Sequence, residues 1–353
     1  MCAVRVDIDE TLLRLRAGDI VAIPTETVYG LAADARNESA LRRIFACKGR
    51  PLSNPLIVHL PDAEAADDWA LGITPAVREL FAAFWPGPLT LVLPARPDVL
   101  PLVTAGSDAV ALRVPAHPLA RELLRRFGGA LCAPSANRSG YVSPTSAEHV
   151  LADYEGASLG VLDGGVCAGG IESTIVRPVG DRLEILRPGI VSPAALRAVW
   201  HGPVVSIGKA EVAVPGSAPR HYAPRTPVLE TLRAAMRDAG GDTAVVVRGT
   251  TPVVAGATVR VLPDEPDAYA AQLYAVLREL DGGGFRRILV EALPADEAWQ
   301  ALANRLQRAA HPEPPSAGAH RDVHSVDNTA RPAAARSDAP VPPAPAAGQE
   351  PIR

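Results

Sequence analysis

Four cations stand at the ends of apolar segments, at the points where predicted strands and helices stop: Lys48, Arg50, Arg113 and Arg187. Neutral hydrogen-bonding side chains occupy similar positions: Thr27, Ser135, Asn137, Ser143 and Ser173. Ligands of open α/β sheets bind at strand ends. Fixed cations are what triphosphate chemistry needs, because the departing pyrophosphate gathers negative charge. The pattern therefore predicts a phosphate site assembled from several strand-end loops.

The stretch 18–60 brings two of these loops together. An apolar strand at 20–23 leads into a polar turn at 24–30, and a short helix follows. A second polar loop at 48–56 then precedes a strand that ends at His59. Lys48 and Lys209 are the only lysines of the chain, and arginine supplies the rest of its 35 cations. A lysine retained at position 48 indicates a need for a compact point charge there.

Each of these residues also has a purely structural interpretation. Lys48 and Arg50 follow a helix whose C-terminus favours cations in any case. Arg113 is compatible with a buried pair to a carboxylate, and Ser135 and Asn137 with turn formation. His59 fits a satisfied, half-buried histidine better than a catalytic one.

Familiar catalytic motifs are missing from the sequence. It contains no Walker A motif and no GxGxxG fingerprint. No serine sits in a nucleophile elbow, which argues against a Ser-His-Asp hydrolase. The cysteines (Cys2, Cys47, Cys132 and Cys167) have no CxxC or metal-like spacing and are expected to be thiols in a reducing cytosol.

Length and composition predict a globular protein of two domains with a tail. The chain has 353 residues, 48% of them hydrophobic, and a net charge of −4. That charge argues against nonspecific coating of nucleic acid, although it permits a local basic cleft. No secretory signal and no membrane-spanning run are expected, so the predicted location is the cytoplasm.

Hydrophobic patterning predicts a twisted sheet of mixed strand direction in the first part of the chain. Asn37 is expected to cap the helix that follows the first polar turn, and 145–148 reads as a capping box. A small α/β unit is predicted further on, with a helix from about 228, strands at 244–247, 259–262 and 288–290, and two later helices. The predicted boundaries are 1–202 for a catalytic domain, 203–227 for a linker, 228–311 for the small domain and 312–353 for a disordered Pro/Ala-rich tail.

Seven ordered motifs resemble the Sua5/YrdC/YciO family, and within it the long, Sua5-type threonylcarbamoyl-AMP synthases. They are PTETVYGL at 24–31, KGRPLSNPLIVHL at 48–60, WPGPLT at 85–90, ALRVPAHP at 111–118, PSANRSG at 134–140, GGIESTIV at 169–176 and LRPGI at 186–190. The linker's RHYAP at 220–224 and ALANRL at 301–306 extend the resemblance more loosely. It implies an α/β fold, with a YrdC-like twisted mixed-sheet domain followed by a small Rossmann-like Sua5 domain.

The resemblance also implies a reaction. L-threonine, bicarbonate and ATP would give L-threonylcarbamoyladenylate and pyrophosphate, with Mg²⁺ accompanying ATP and no protein ligands expected for the metal. A separate threonylcarbamoyl transferase would then modify adenosine 37 of tRNAs that read codons beginning with A. Contact of this chain with tRNA is possible but indirect.

Family roles carry over to matching positions. The catalytic signature matches Lys48, Arg50, Ser135 and Asn137. The ATP contacts match Arg50, Asn54, Ser135, Ser143, Arg187 and Tyr222. The threonine pocket matches Thr27, His59, Arg113 and Ser173, with Arg113 expected to hold the carboxylate and Thr27 or Ser173 the hydroxyl.

Two departures and two alternatives accompany this interpretation. Ala109 and Ala133 stand where many relatives have threonine, and PGSAPRHYAP at 215–224 differs from the usual PGMxxRHYAP. The linker is predicted to act as a lid that excludes water from a labile mixed anhydride. One alternative is an RNA-binding module without turnover, and the other is carbamoyl transfer of the hydrogenase-maturation type.

Overall fold

The computed structural model describes residues 3–207, 214–216, 221–237, 239–250 and 256–311. The predicted tail at 312–353 lies outside the described residues. The described strands are β1 (Val4–Val6), β2 (Val21–Ile23), β3 (Gly30–Asp34), β4 (Ile57–His59), β5 (Leu89–Pro94), β6 (Ala109–Arg113), β7 (Leu131–Cys132), β8 (Gly160–Leu162), β9 (Thr174–Val179), β10 (Arg182–Arg187), β11 (Val204–Ser206), β12 (Val228–Thr231), β13 (Thr243–Arg248), β14 (Thr258–Leu262) and β15 (Arg287–Glu291). The described α-helices are α1 (Ile8–Arg16), α2 (Glu38–Lys48), α3 (Pro75–Phe84), α4 (Pro101–Thr104), α5 (Pro118–Phe127), α6 (Ala147–Asp153), α7 (Pro193–Arg197), α8 (Pro266–Asp281) and α9 (Gln300–Ala309).

Strands β1 to β11 form one large sheet, which confirms the predicted mixed architecture. Its order is β1-β8-β2-β3-β7-β4-β6-β5-β9-β10-β11. It combines parallel pairs such as β4 with β6 and antiparallel pairs such as β5 with β6. The parallel register places His59 opposite Arg113, so these two residues leave the sheet at the same edge.

Strands β12 to β15 form a second sheet, and its described strand pairs are all parallel. The predicted helix from about 228 is wrong, because β12 occupies Val228–Thr231 and only a short 3₁₀ turn follows at Arg233–Met236. Leu229, Leu232 and Met236 mimic a helical spacing, but pairing with β15 satisfies the backbone of this segment in an extended form.

Local capping signals are partly confirmed. The Asn37 side chain accepts a hydrogen bond from the amide of Ala40, as expected of an N-cap. The predicted capping box is shifted by one residue, since Ser146 rather than Thr145 caps α6. Glu148 pairs instead with Arg5, so it does not complete the box. Strand β11 shows that the first residues of the predicted linker belong to the large sheet, pairing with β10.

One hydrophobic cluster contains residues from both parts of the chain, the part that forms the large sheet and the part that forms the smaller sheet. Val28, Val142 and Ile171 from the large-sheet part pack with apolar residues of α8 and α9 and with Tyr222. Gly170 makes a close approach possible, because a Cβ at this position would lie 2.2 Å from the carbonyl oxygen of Ala270 in α8. Helix α8 therefore lies directly on the loop that precedes β9. Among the described helices, none is long and apolar enough to cross a membrane.

Candidate active site

Several loops leave the large sheet and converge on one small cavity of about 40 Å³. The polar turn after β2, the end of β4 at His59, the end of β6 at Arg113 and the segment after β7 all contribute to it. Most of the predicted site residues line this cavity: Thr27, Arg50, His59, Arg113, Ser135, Ser173, Arg187 and Tyr222. The remaining predicted residues are not among those that line it: Lys48, Asn54, Asn137 and Ser143.

Arg113 is held from three sides. Its Nη2 donates to Glu26 Oε1 at 2.6 Å, Nη1 to Thr27 Oγ1 at 3.1 Å and Nε to the carbonyl of Gly87 at 3.2 Å. Arg113, which is expected to bind the substrate, therefore also has a carboxylate partner within the chain. The buried pair with a carboxylate, given above as its structural interpretation, is present. Three contacts occupy three of the five guanidinium N–H groups, so two N–H groups are left for another acceptor.

Glu26 was not predicted to belong to the site, although it lies in the same polar turn as Thr27. Its second oxygen accepts a hydrogen bond from the amide of Ala116 at 3.0 Å. Burial acts to raise the pKa of the Glu26 carboxyl, but the charge and hydrogen bond of Arg113 outweigh it and lower that pKa below its usual range. Glu26 is therefore ionised at neutral pH and fixes the orientation of Arg113.

Two hydroxyl pairs line the same region. Thr25 Oγ1 and Thr27 Oγ1 are 2.8 Å apart, and Thr90 Oγ1 and Ser173 Oγ are also 2.8 Å apart. Thr25 further donates to the carbonyl of Val28 at 2.6 Å, which closes the polar turn. These contacts hold the Thr27 and Ser173 hydroxyls at defined positions in the cavity wall.

Lys48 and Asn137 build the loop that carries Ser135. Lys48 lies at the end of α2, and its Nζ donates to the carbonyl oxygens of both Ser135 and Asn137. The Asn137 amide donates to the carbonyls of Arg138 and Tyr141, and Asn137 Oδ1 accepts from Ser135 Oγ at 2.5 Å. Burial, followed by the charge of Arg50, lowers the pKa of the Lys48 ammonium well below its ordinary value.

Arg50 and Arg187 place two buried cations at the cavity. Arg50 donates to the carbonyls of Pro55 at 2.8 Å and Asn54 at 3.3 Å, so the backbone of the predicted residue Asn54 helps to hold Arg50. Burial lowers the pKa of Arg50 to about 10. Arg187 donates through Nη2 to Ser173 Oγ at 3.0 Å, and through Nη1 to the carbonyl of Pro215 at 3.0 Å.

His59 is buried beside Arg113, and its Nδ1 lies 3.2 Å from the carbonyl oxygen of Ile57. Burial and, secondarily, the Arg113 charge lower the pKa of its imidazole to about 3. His59 is therefore neutral at physiological pH.

The described linker residues cover the cavity. Pro215, Gly216, His221 and Tyr222 all contribute to its wall, and Tyr222 is 1% exposed. The backbone of Tyr222 has a φ of 58°, a left-handed conformation that costs a non-glycine residue about 1–2 kcal/mol. Neighbouring groups must therefore hold this residue in place.

Glu172 is a second carboxylate that the sequence did not reveal as part of this region. Ser143 Oγ donates to its Oε1 at 2.6 Å, so Ser143 contacts a residue that lines the cavity. Tyr274 of α8 and Arg305 of α9 donate to Oε2 at 3.0 and 2.8 Å. Glu172 immediately precedes Ser173, and no local pattern connects it to residues more than a hundred positions away.

A YrdC-like α/β domain with a second, smaller sheet is the class of protein that this fold and site define. A family model described as "Telomere recombination" matches residues 14–189, and one described as "Threonylcarbamoyl-AMP synthase, C-terminal domain" matches residues 191–311. The chain is 39% identical to the threonylcarbamoyl-AMP synthase of Bacillus subtilis, over 84% of this chain and 90% of that protein. It is 37% identical to the enzyme of the same name from Pyrococcus abyssi, over 87% of this chain and 96% of that protein.

A solved structure agrees with these matches. The crystal structure of P. abyssi Sua5 complexed with L-threonine has a TM-score of 0.79 and 35% sequence identity, and covers 88% of this chain and 96% of that one. This chain therefore belongs to the Sua5/YrdC/YciO family, and it carries both segments of the long Sua5 type.

Proposed function

We propose that this chain synthesises L-threonylcarbamoyladenylate from L-threonine, bicarbonate and ATP, with release of pyrophosphate. It would thus be a nucleotidyltransferase whose product supplies a separate threonylcarbamoyl transferase acting on tRNA. The single observation that carries the proposal is the convergence of Arg50, Arg113 and Arg187 with the Thr27 and Ser173 hydroxyls on one buried cavity. Relatives bearing the synthase name support it along the length of the chain.

The threonine end of the site is assigned to Arg113, Thr27 and Ser173. Two N–H groups of Arg113 are available to a carboxylate while Glu26 holds the guanidinium in place. A buried hydroxyl partner such as Thr27 or Ser173 favours an amino acid with its own hydroxyl, because an analogue lacking it would leave polar groups unpaired. The crystal structure of the relative P. abyssi Sua5 contains L-threonine, which supports L-threonine as a substrate of this chain.

The reaction proceeds in two steps, carboxylation of the threonine amine and then adenylation of the new carboxylate. The threonine amine attacks the carbon of bicarbonate, and loss of water leaves an N-carboxylate. An oxygen of that carboxylate then attacks the α-phosphorus of ATP, and the bond to the β-phosphate oxygen breaks to release pyrophosphate. Arg50 and Arg187 stabilise the charge that accumulates on the leaving group. Lys48 and Asn137 act by fixing the Ser135 loop.

Mg²⁺ is proposed to arrive with ATP, held by phosphate oxygens and water, as is usual for this ion. Among the described residues, no group of three or more His, Cys, Asp or Glu side chains is arranged to hold a metal. The carboxylates nearest the cavity, Glu26 and Glu172, are each engaged by an arginine. The cytoplasm, which contains ATP and tRNA, is the proposed location.

Entry of the triphosphate requires movement of the lid. Small-molecule sites typically enclose about 300–1,000 Å³, whereas this cavity has a volume of about 40 Å³. The described linker residues, above all Tyr222, occupy the space between the cations and the smaller sheet. We propose that the lid opens for ATP and closes again to exclude water.

Pyrophosphate release from ATP tests the proposal, measured with and without L-threonine and bicarbonate. We expect release to need both co-substrates and to collapse in Lys48→Ala, while Arg43→Ala, at an exposed arginine of α2, should retain it. Release that ignores threonine would contradict the proposal. Salt-sensitive tRNA binding without turnover would favour the RNA-binding alternative, which the burial of Arg50, Arg113 and Arg187 disfavours because buried cations cannot reach an RNA backbone.

A further inference from the structure

Arg305 connects the part of the chain that contains the smaller sheet to two other segments: the lid, through Tyr222, and the loop before β9 that carries Glu172 and Ser173. It lies on α9, is 1% exposed, and pairs with Glu172 through a 2.8 Å contact from Nε. Its guanidinium carbon also stands 5.0 Å from the centre of the Tyr222 ring, in a cation–π geometry. One side chain thus contacts the carboxylate next to Ser173 and the aromatic ring of the lid.

Tyr274 provides a second connection of the same kind. Its hydroxyl donates to Glu172 at 3.0 Å, and its ring stacks on Tyr222 with centroids 5.9 Å apart. The same helix lies directly on Gly170, two residues before Glu172. Helices α8 and α9 therefore contact the loop and the lid at once, through different atoms.

The lid conformation needs such support. Tyr222 has a positive φ, and its buried hydroxyl has no hydrogen-bond partner among the described residues. A backbone in this region persists only where the surroundings determine it. Within the described part of the chain, one buried nitrogen of Arg305, Nη2, also lacks a hydrogen-bond partner, so packing against the ring is achieved at the expense of a hydrogen bond.

We propose that Arg305 is a positioning residue for ATP binding: by clamping Glu172 and the Tyr222 ring, it couples docking of the smaller domain to closure of the lid over ATP. This inference rests on the proposed function. The alternative is that the pair merely stabilises the interface. The pair between Arg278 of α8 and Asp153 of α6, with side chains 7% and 8% exposed, is a comparable ion pair without a recorded contact to Tyr222.

A double-mutant cycle on the full chain separates the two interpretations. Arg305→Met should weaken ATP binding, measured by equilibrium dialysis, roughly tenfold. In a Tyr222→Ala background the same substitution should weaken ATP binding much less, because only the contact of Arg305 with Glu172 is left to lose. Asp153→Asn, which breaks the other buried pair, should lower the melting temperature without changing ATP affinity.

Additive losses in the two backgrounds, or an equal loss of ATP affinity in Asp153→Asn, would overturn the inference. Where Arg305→Met does not fold, Arg305→Lys keeps a cation beside Glu172 and removes the planar guanidinium from the Tyr222 ring, and its loss of ATP affinity should likewise depend on Tyr222. Because dialysis requires no turnover, wild-type protein that binds ATP but forms no product would refute the proposed function alone. Wild-type protein that does not bind ATP would refute both.

Discussion

Arg113 and Glu26 form an ion pair at 2.6 Å, with side chains only 4% and 17% exposed, at the edge of the cavity assigned to threonine. The pair joins β6 to the polar turn after β2, across 87 positions of sequence. A buried guanidinium whose orientation is fixed in advance loses little entropy when it binds a carboxylate. Substrate recognition and local stability therefore depend on the same pair.

Glu26→Gln should lower the free energy of unfolding by about 3 kcal/mol, because it leaves the buried charge of Arg113 without its partner. The KM for L-threonine should rise as well, since the guanidinium is no longer held. Urea denaturation and steady-state kinetics measure the two effects. Asp67→Asn, which breaks an exposed pair with Arg78, is the control and should change little. Equal losses in the two variants would contradict this account of the buried pair.

Arg50→Met should lower kcat/KM for ATP by about 10- to 150-fold, the range that corresponds to loss of one charge-assisted contact of about 1.5–3 kcal/mol. Arg50 is buried at the cavity, where no water can replace its charge. Pyrophosphate release at several ATP concentrations gives the ratio, and Arg43→Met serves as the exposed control. An unchanged kcat/KM would remove Arg50 from the phosphate site.

Buried His59 should make the protein less stable in acid. Its pKa in the folded state is about 3, whereas an unfolded histidine titrates near ~6.5. As the pH falls through this interval, the unfolded chain gains a proton that the folded chain does not bind, so stability is lost. The slope for one such group approaches about 1.4 kcal/mol per pH unit in the middle of the interval.

Denaturation of wild type and His59→Gln between pH 4 and pH 6.5 tests this assignment. The variant should show a slope smaller by close to one proton, while His201→Gln, at an exposed imidazole, should keep the wild-type slope. Identical slopes in His59→Gln and wild type would show that burial of His59 does not generate the pH dependence.

Gly216→Ala should disturb the lid. A Cβ at this position would lie 2.0 Å from the Tyr222 hydroxyl oxygen, so one of the two must move. We expect kcat/KM to fall between about tenfold and 100-fold, and less threonylcarbamoyladenylate to be recovered for each pyrophosphate released, because water reaches the mixed anhydride.

Gly180→Ala is the matched control for that substitution. Gly180 also has a positive φ, 60°, but a Cβ there would meet nothing within 4 Å. The Gly180→Ala substitution should therefore lower the free energy of unfolding by about 1–2 kcal/mol, the cost of a non-glycine residue at positive φ. It should leave the recovery of product unchanged. The same loss of product in Gly180→Ala would exclude a specific effect of Gly216 on the lid.

Prediction from sequence succeeded where the determining contacts are local. The Asn37 cap depends on an amide three residues away, and the strand-end positions of Arg113 and Arg187 follow from apolar runs of a few residues. It failed at residue 228, where apolar residues at helical spacing predicted a helix. The segment is a strand, because β15 provides hydrogen-bond partners for its backbone. The boundaries of the domains and the catalytic roles of the site residues stay predictions.

The sequence by itself determined the kinds of chemical group available: cations, hydroxyls and amides at strand ends, in an order that identifies the family. Only the tertiary structure decided how they are connected. Arg113 meets Glu26 across 87 positions, and Arg305 meets Glu172 across 133. Such pairs depend on register between distant strands and on the docking of α8 and α9, and charge pairing over these separations leaves no periodic signal in the chain. Burial then converts ordinary side chains into a site, because it removes the water that would otherwise screen them.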